Sequence, residues 1–155
     1  MHTRRHMLSD SAKVAALLAA VGLAPQLAKA QAASYNSAAF EAKNMADAMK
    51  ALGAAVPVAS KDVTVTAPDI AENGAVVPVG AAAALPGVKR LLILVEKNPA
   101  ALAAMFEPSD AVEANISTRV KLGQSSNVFA VAILNDGKVL FAQKEVKVTL
   151  GGCGG

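Results

Sequence analysis

The sequence predicts a mainly β protein, an immunoglobulin-like β-sandwich that follows one N-terminal helix and precedes a flexible C-terminal Gly-Gly-Cys-Gly-Gly arm. Between residues 58 and 150, apolar and polar residues alternate in short runs, which Gly, Pro and Asn separate at frequent intervals. Such runs are typical of a sandwich. One earlier segment repeats its apolar residues at helical spacing. The last five residues place two glycines on each side of a cysteine.

The helix is predicted over Asn36–Leu52. Its apolar positions recur every three or four residues and form one stripe, made of Ala38, Ala42, Met45, Met49 and Leu52. Gly53 is expected to end the helix, because glycine readily adopts the left-handed conformation that follows a helix. We expect the stripe to pack on the chain's own domain, the alternative being a helix that binds a partner.

The first half of the β region contains three predicted strands and one ambiguous segment. Val63–Thr66 alternates valine with threonine, and Ala75–Ala83 contains Pro78, which favours an edge or a bulge. Lys89–Glu96 is the third predicted strand, and its core Leu91–Val95 is apolar throughout, which indicates that the strand is covered on both faces. Ala100–Phe106 fits either a short helical turn or a strand.

The last third of the chain has the clearest strand signals. Val112–Lys121 alternates as a strand with one wet face. Asn127–Leu134 and Val139–Leu150 flank Asn135-Asp136-Gly137-Lys138, whose Asp-Gly pair predicts a hairpin. In total we expect about seven strands, without the cysteine–tryptophan–cysteine core of antibody domains.

Residues 1–30 are predicted to be a twin-arginine signal peptide. The pair Arg4-Arg5 precedes the apolar run Val14–Ala24, and Ala28-Lys29-Ala30 offers a cleavage site. The alternative, a membrane anchor, is disfavoured because the run is shorter than the ~20 residues that a span needs. We therefore expect export to the periplasm and a mature chain from about Gln31, with a carrier domain over 31–150 and an arm over 151–155.

The charge balance of the mature chain argues against nucleic acid as a partner. The whole chain has 15 basic and 12 acidic residues, but residues 1–30 hold four of the basic and one of the acidic ones, which leaves a neutral remainder. Both histidines, His2 and His6, lie in the leader. We therefore expect no metal site, no Ser-His or Cys-His pair, no cofactor and no enzymatic activity in the mature chain. Once the leader is removed, we also expect no membrane binding.

Cys153 is the single cysteine, and Gly151, Gly152, Gly154 and Gly155 surround it. Five residues reach roughly 15 Å, and glycine leaves the backbone free, so the thiol is predicted to be presented to other molecules. A thiolate can form a labile S–S bond, but no Lys, Arg or His lies in the last eight residues to activate it. The pattern favours a covalent carrier. The alternative is a secreted thiol-redox or structural β-domain whose tail cysteine crosslinks a partner.

Several segments together resemble the SoxY family, the sulfur carriers of the periplasmic Sox thiosulfate-oxidising system. Besides the leader and the helix followed by strands, they are Ala71–Val79 (AENGAVVPV), Leu94–Pro99 (LVEKNP), Ser117–Arg119 (STR) and Lys144–Gly155 (KEVKVTLGGCGG). The terminal GGCGG is the most specific of these segments.

The resemblance implies a cycle of sulfur adducts on Cys153. In that family a stable heterodimer forms with SoxZ, and the c-type haem protein SoxAX joins thiosulfate to the cysteine as an S-thiosulfonate. The dimanganese hydrolase SoxB then removes sulfate and leaves a persulfide, and the sulfane dehydrogenase SoxCD, where present, oxidises the remaining sulfur. The contacts with SoxAX, SoxB and SoxCD are expected to be transient. Expressed alone, the chain is expected to form a disulfide-linked homodimer through Cys153.

Overall fold

The computed structural model describes residues 36–109 and 111–149. In these residues two short helices precede nine strands, against the seven or so expected. The helices are α1 (Ser37–Phe40) and α2 (Met45–Ala51), and the strands are β1 (Val58–Ala59), β2 (Val63–Thr66), β3 (Ile70–Ala71), β4 (Val77–Ala83), β5 (Val88–Val95), β6 (Leu102–Phe106), β7 (Asn115–Val120), β8 (Ser126–Leu134) and β9 (Val139–Val148). The described residues contain no helix that is long and apolar enough to cross a membrane.

The strands form two sheets, and the mainly β, immunoglobulin-like fold is confirmed. The larger sheet has the order β1-β9-β8-β5-β6. The short strand β3 also pairs directly with β9, further along that strand than β1 does. The smaller sheet has the order β2-β4-β7 and is antiparallel throughout. Strands β1 and β3 both run parallel to β9, beside its beginning and its end respectively.

The larger sheet is the middle layer of the described domain, because its central strands β5 and β8 are buried on both faces. Leu91, Ile93 and Val95 of β5 pack toward the smaller sheet, whereas Leu92 and Leu94 pack toward the helices. Burying a side chain of this size stabilises the fold by about 1.5–3 kcal/mol. The prediction that Leu91–Val95 is covered on both faces is confirmed.

The predicted continuous helix over Asn36–Leu52 is wrong, since the chain forms two helices with a break between them. Asn44 is extended (φ −149°, ψ 169°), and its side chain accepts a hydrogen bond from the Asp47 N–H, which starts α2 anew. The Ala42 carbonyl in the break accepts a hydrogen bond from the Ala101 N–H.

The break shifts the helical phase and changes which alanines are buried. Ala39 and Ala48 are fully buried, whereas Ala38 of the predicted stripe is exposed. Both helices contribute to the core of their own domain, as expected. Gly53 follows α2 with φ +64°, which confirms that it ends the helix.

Pro78 does not lie on an edge strand, because β4 is the centre of the smaller sheet. It pairs with Arg119 of β7, but β2 pairs with β4 only between Gly80 and Ala83. Pro78 therefore lies beyond the end of β2, so on that side no neighbouring strand needs a donor from it. Strand β4 is therefore a central strand, but at Pro78 it has a neighbouring strand on one side alone.

The observed bounds and pairing of the strands decide three further predictions. The ambiguous segment Ala100–Phe106 contains β6, paired with β5. The predicted strand Val112–Lys121 is shorter, since β7 begins at Asn115 and Val112 is 59% exposed. The β8–β9 hairpin is confirmed, and Gly137 in its loop has φ +88°.

Candidate functional site

All the site residues predicted from the sequence lie outside the described residues. They are Cys153, Gly151, Gly152, Gly154 and Gly155 of the arm, Arg4 and Arg5 of the export signal, and Ala28 and Ala30 of the cleavage site. The described chain ends at Thr149, four residues before Cys153. The end of β9 is the part of the described chain that leads into the C-terminal segment 150–155.

The end of β9 is held by hydrogen bonds on both of its sides. The N–H groups of Lys147 and Thr149 donate to the carbonyls of Asp69 (2.9 Å) and Ala71 (3.1 Å), on the β3 side. The N–H of Val148 lies between them and donates to the hydroxyl oxygen of Ser125 at 2.9 Å. Three consecutive N–H groups thus have partners, in the alternating directions that a strand dictates.

A close backbone approach at Gly74 supports the same strand end. The Leu122 N–H donates to the Gly74 carbonyl at 2.7 Å. A Cβ added to Gly74 would lie 2.5 Å from the Leu122 carbonyl oxygen and 2.9 Å from Cγ1 of Val148. Leu122 is itself buried, so its carbonyl has little space to move away. Glycine is required here by contact distance, because its φ is not positive.

Asn98 ties the loop after β7 to the loop after β5. Its Nδ2 donates to the Lys121 carbonyl (2.7 Å), and its Oδ1 accepts from the Gly123 N–H (3.1 Å). Nearby, the hydroxyl of buried Ser126 accepts from the Lys97 N–H at 3.0 Å. These bonds fix the loop that presents Ser125 to β9.

An ion pair at Lys144 lies further back along β9. Lys144 Nζ donates to the Ala67 carbonyl at 2.6 Å and lies 3.0 Å from Oδ1 of Asp69. Because the Asp69 carboxylate is 87% exposed, the pair contributes little by charge alone. Its effect is to hold the segment before β3 against β9, next to the Asp69 carbonyl that pairs with Lys147.

The segments that carry the family resemblance meet at this end of the sandwich. Ala71–Val79 supplies Ala71 and Gly74, Leu94–Pro99 supplies Asn98, and Lys144–Gly155 contains the end of β9. Ser117–Arg119 lies in β7 and pairs with β4 next to Pro78. The sequence motifs therefore describe one region of the molecule.

Sequence reasoning missed the supporting residues Asp69, Gly74, Asn98 and Ser125. Asn98 and Gly74 do lie in the quoted motifs, which was the available signal. Ser125 lies in the turn between β7 and β8, and nothing in the sequence of a turn indicates which distant N–H a hydroxyl accepts.

The described residues place no catalytic constellation near the end of β9. Within 36–109 and 111–149 no group of three or more His, Cys, Asp or Glu side chains could hold a metal ion. A cavity of about 730 Å³ lies at the opposite end of the sandwich, lined by residues 82–88 and 111–115 among others. The described arrangement holds the end of β9 in place by backbone hydrogen bonds on both sides.

Comparisons with known proteins agree with the geometry. The family model for the sulfur oxidation protein SoxY matches residues 48–153. The solved structure of the sulfur carrier protein SoxY from Chlorobium limicola f thiosulfatophilum is 32% identical, with a TM-score of 0.62; the match covers 69% of this chain and 97% of that one. No curated protein matches the chain.

Two superoxide reductases share the fold at low identity. A variant of the superoxide reductase neelaredoxin from Ignicoccus hospitalis is 16% identical (TM-score 0.50), with 56% of this chain and 79% of that chain covered. A putative superoxide reductase from Thermotoga maritima is 12% identical (TM-score 0.51), with 60% and 94% covered. These likenesses concern the fold alone. The family model and the Chlorobium structure, by contrast, span most of the described domain, and they establish that the chain belongs to the SoxY family of sulfur oxidation proteins.

Proposed function

We propose that this chain carries sulfur intermediates covalently on Cys153 during thiosulfate oxidation and presents them to partner enzymes. The observation that supports the proposal most directly is the extent of the family match, which reaches residue 153 and so includes the cysteine. The solved relative is described as a sulfur carrier protein. Cys153 is also the single thiol of the chain, so no other side chain can form such an S–S bond.

The geometry of β9 supports a carrier, since hydrogen bonds fix the end of the strand that leads to Cys153. The backbone is bonded to two different segments up to Thr149, four residues before the cysteine. The four glycines around Cys153 add no side chain to the segment. A segment with few side chains, attached to a fixed strand, suits entry into the narrow pocket of another protein.

The proposed loading step is an oxidation that joins two sulfur atoms. The Cys153 thiol loses its proton, its sulfur bonds to the outer sulfur of thiosulfate, and two electrons leave to an electron-accepting haem protein of the SoxAX type. The product is Cys153–S–S–SO₃⁻. Hydrolysis by a SoxB-type enzyme then adds water across the S–SO₃ bond, which releases sulfate and a proton and leaves a Cys153 persulfide.

We propose that catalysis is supplied by these partners and that this chain is a non-catalytic subunit. An ordinary thiol has a pKa of about 8.5, and no Lys, Arg or His lies in the last eight residues to lower it. Activation of Cys153 is therefore assigned to the pocket that it enters. The proposed assembly is a stable heterodimer with SoxZ that meets SoxAX, SoxB and, where present, SoxCD in turn.

The proposed location is the periplasm, reached by the twin-arginine pathway. Replacing both Arg4 and Arg5 by Lys is expected to leave precursor in the cytoplasm, as measured by fractionation and N-terminal sequencing. Normal export of this variant would overturn the proposed route while leaving the carrier function untouched.

The carrier function is tested by Cys153→Ser in a reconstituted Sox system. We expect complete loss of thiosulfate-dependent turnover and of sulfur adducts by intact mass, with an unchanged melting temperature and unchanged SoxZ binding. Gly152→Val is the matched variant: it retains a thiol that alkylating reagents label, yet it is expected to slow each partner enzyme, because a β-branched side chain stiffens and widens the segment. Full turnover in Cys153→Ser would refute the carrier assignment.

A further inference from the structure

The last described residues of β9 are held by residues far away in the sequence. Ser125 is 23 residues from Val148, and its hydroxyl accepts the Val148 N–H at 2.9 Å. On the other side, Asp69 and Ala71 accept the neighbouring N–H groups. A strand that merely ended at the surface would leave such donors to water.

The segments that hold β9 are themselves joined into one unit. Asn98 bridges Lys121 and Gly123 on the loop that leads to Ser125. Gly74 receives the Leu122 N–H and lies against Val148, with no room for a Cβ. We call this unit the collar, and define it as Asp69–Ala71, Gly74, Asn98, Leu122 and Ser125.

We propose that Ser125 and Gly74 are positioning residues for Cys153: through the collar they fix the point from which the C-terminal segment starts. The inference rests on the proposed carrier function and adds residues that act on the cysteine only through the end of β9. Neither residue touches the sulfur or its cargo in this proposal.

Tether length explains why a fixed starting point would matter. With Thr149 held, the tether to Cys153 is four residues; if residues 147–149 come free, it runs from Val146 and is seven residues. The effective concentration of a tethered group falls roughly as the −3/2 power of tether length, so this change lowers it about twofold. The loss of a fixed direction at the strand end lowers it further.

Ser125→Ala is the main test, because it removes one acceptor and adds no bulk. Ser125→Thr retains the hydroxyl and is the rescue variant. Ser60→Ala is the matched control, since the Ser60 hydroxyl also accepts a backbone N–H, from Asp62 at 3.1 Å, but near the beginning of β9. Gly74→Ala displaces the collar by a second, steric route.

The first readout is the position of residue 153 and needs no partner enzyme. Spin labels are placed on Cys153 and on Asp136→Cys in the hairpin loop, across the ten residues of β9 or about 34 Å of strand. Pulsed EPR is expected to give a broader distance distribution in Ser125→Ala and Gly74→Ala than in the parent, Ser125→Thr or Ser60→Ala. Equal widths in all of them would overturn the proposal.

The second readout is turnover with the reconstituted partner enzymes. Without spin labels, Ser125→Ala is expected to lower kcat by at most about twofold, since it removes one of the three bonds, while KM and the rate of thiol alkylation stay at the wild-type values, because neither docking nor the thiol itself has changed. Wild-type kcat in Ser125→Ala would overturn the positioning role even if the EPR distribution broadened. A failed carrier function is recognised separately, since Cys153→Ser would then keep its turnover.

Discussion

The two ends of strand β9 are built in opposite ways. At its beginning, most bonds of the loop Asn135–Lys138 are local: the Gly137 N–H donates to the Leu134 carbonyl, and Lys138 bonds to Asp136 through its N–H (3.0 Å) and its Nζ (2.9 Å). The Asn135 N–H, by contrast, donates to the distant Gly87 carbonyl at 2.9 Å. At its end, the partners of residues 147–149 come from around Ala71 and from Ser125. The loop at the beginning is held mainly by bonds between neighbouring residues, whereas the end is held by residues that are distant in the sequence.

This difference shows where the molecule depends on tertiary structure. A hairpin with an Asp-Gly loop forms from neighbouring residues and needs little else. The other end keeps its partners only while β3 and the loop before β8 remain in place. The end that leads to Cys153 is therefore the one whose geometry is coupled to the folded domain.

The largest effect is expected from moving the thiol from one end of β9 to the other. In Cys153→Ser combined with Asp136→Cys, the thiol lies in the exposed β8–β9 loop and has no glycine tether. We expect no thiosulfate-dependent turnover in the reconstituted system, although alkylating reagents label the new cysteine. Asp136→Cys with Cys153 retained is the control and is expected to turn over normally. Turnover by the relocated thiol would show that the end of β9 is not special.

A smaller effect is expected from adding a methyl group to one glycine at each end. Gly74→Ala forces a Cβ to 2.5 Å from a carbonyl oxygen, and overpacking of this kind typically costs 1–3 kcal/mol of unfolding free energy, about the middle of that range here. Gly137→Ala has open space but a φ of +88°, so its cost of roughly 1–2 kcal/mol comes from the backbone alone.

The two glycines are distinguished by asparagine, which tolerates the left-handed region. Gly137→Asn is expected to recover most of the stability that Gly137→Ala loses, whereas Gly74→Asn is expected to be at least as unstable as Gly74→Ala. Urea denaturation of the four variants measures this. Recovery by asparagine at position 74 would contradict the steric explanation.

The smallest effect is expected at the Asp136–Lys138 pair. Hydrogen bonds from the Lys138 side chain and then from its N–H hold the pKa of the exposed Asp136 carboxyl below its usual value. A lowered folded-state pKa adds stability that is complete above the unfolded pKa of about 3.9 and disappears as the pH falls through the folded value. Asp136→Asn is therefore expected to melt slightly below the wild type at pH 7 and level with it near pH 2. A difference that grows toward acid would contradict this assignment.

The elements that sequence analysis predicted well are those with local causes. Leu91–Val95 is buried on both faces, Gly53 ends a helix, and the β8–β9 hairpin turns at Asp136-Gly137. Each follows from side-chain periodicity or from the φ preference of one residue. The uniqueness of Cys153 is likewise a property of the sequence itself.

The elements that it predicted poorly depend on neighbours in space. Asn44 breaks the predicted helix because its side chain accepts the Asp47 N–H and so starts a new helix. The Ala42 carbonyl in the break accepts a hydrogen bond from the Ala101 N–H of a distant segment. Ala100–Phe106 is ambiguous by pattern and becomes a strand because β5 offers it a free edge. Pro78 predicts an edge or a bulge, but it lies in the central strand β4, and only the short length of β2 leaves it without a neighbour on that side.

The sequence by itself therefore determined a β-sandwich, a hairpin before the last strand and a single thiol among glycines close to the C-terminus. Only the tertiary structure decided that Ser125, Asn98 and Gly74 meet beside the end of that strand. The physical reason is that a hydroxyl or amide in a turn has the same local sequence whether it faces water or a backbone N–H. Its partner is selected by the packing of two sheets, which sums contacts between residues far apart in the chain.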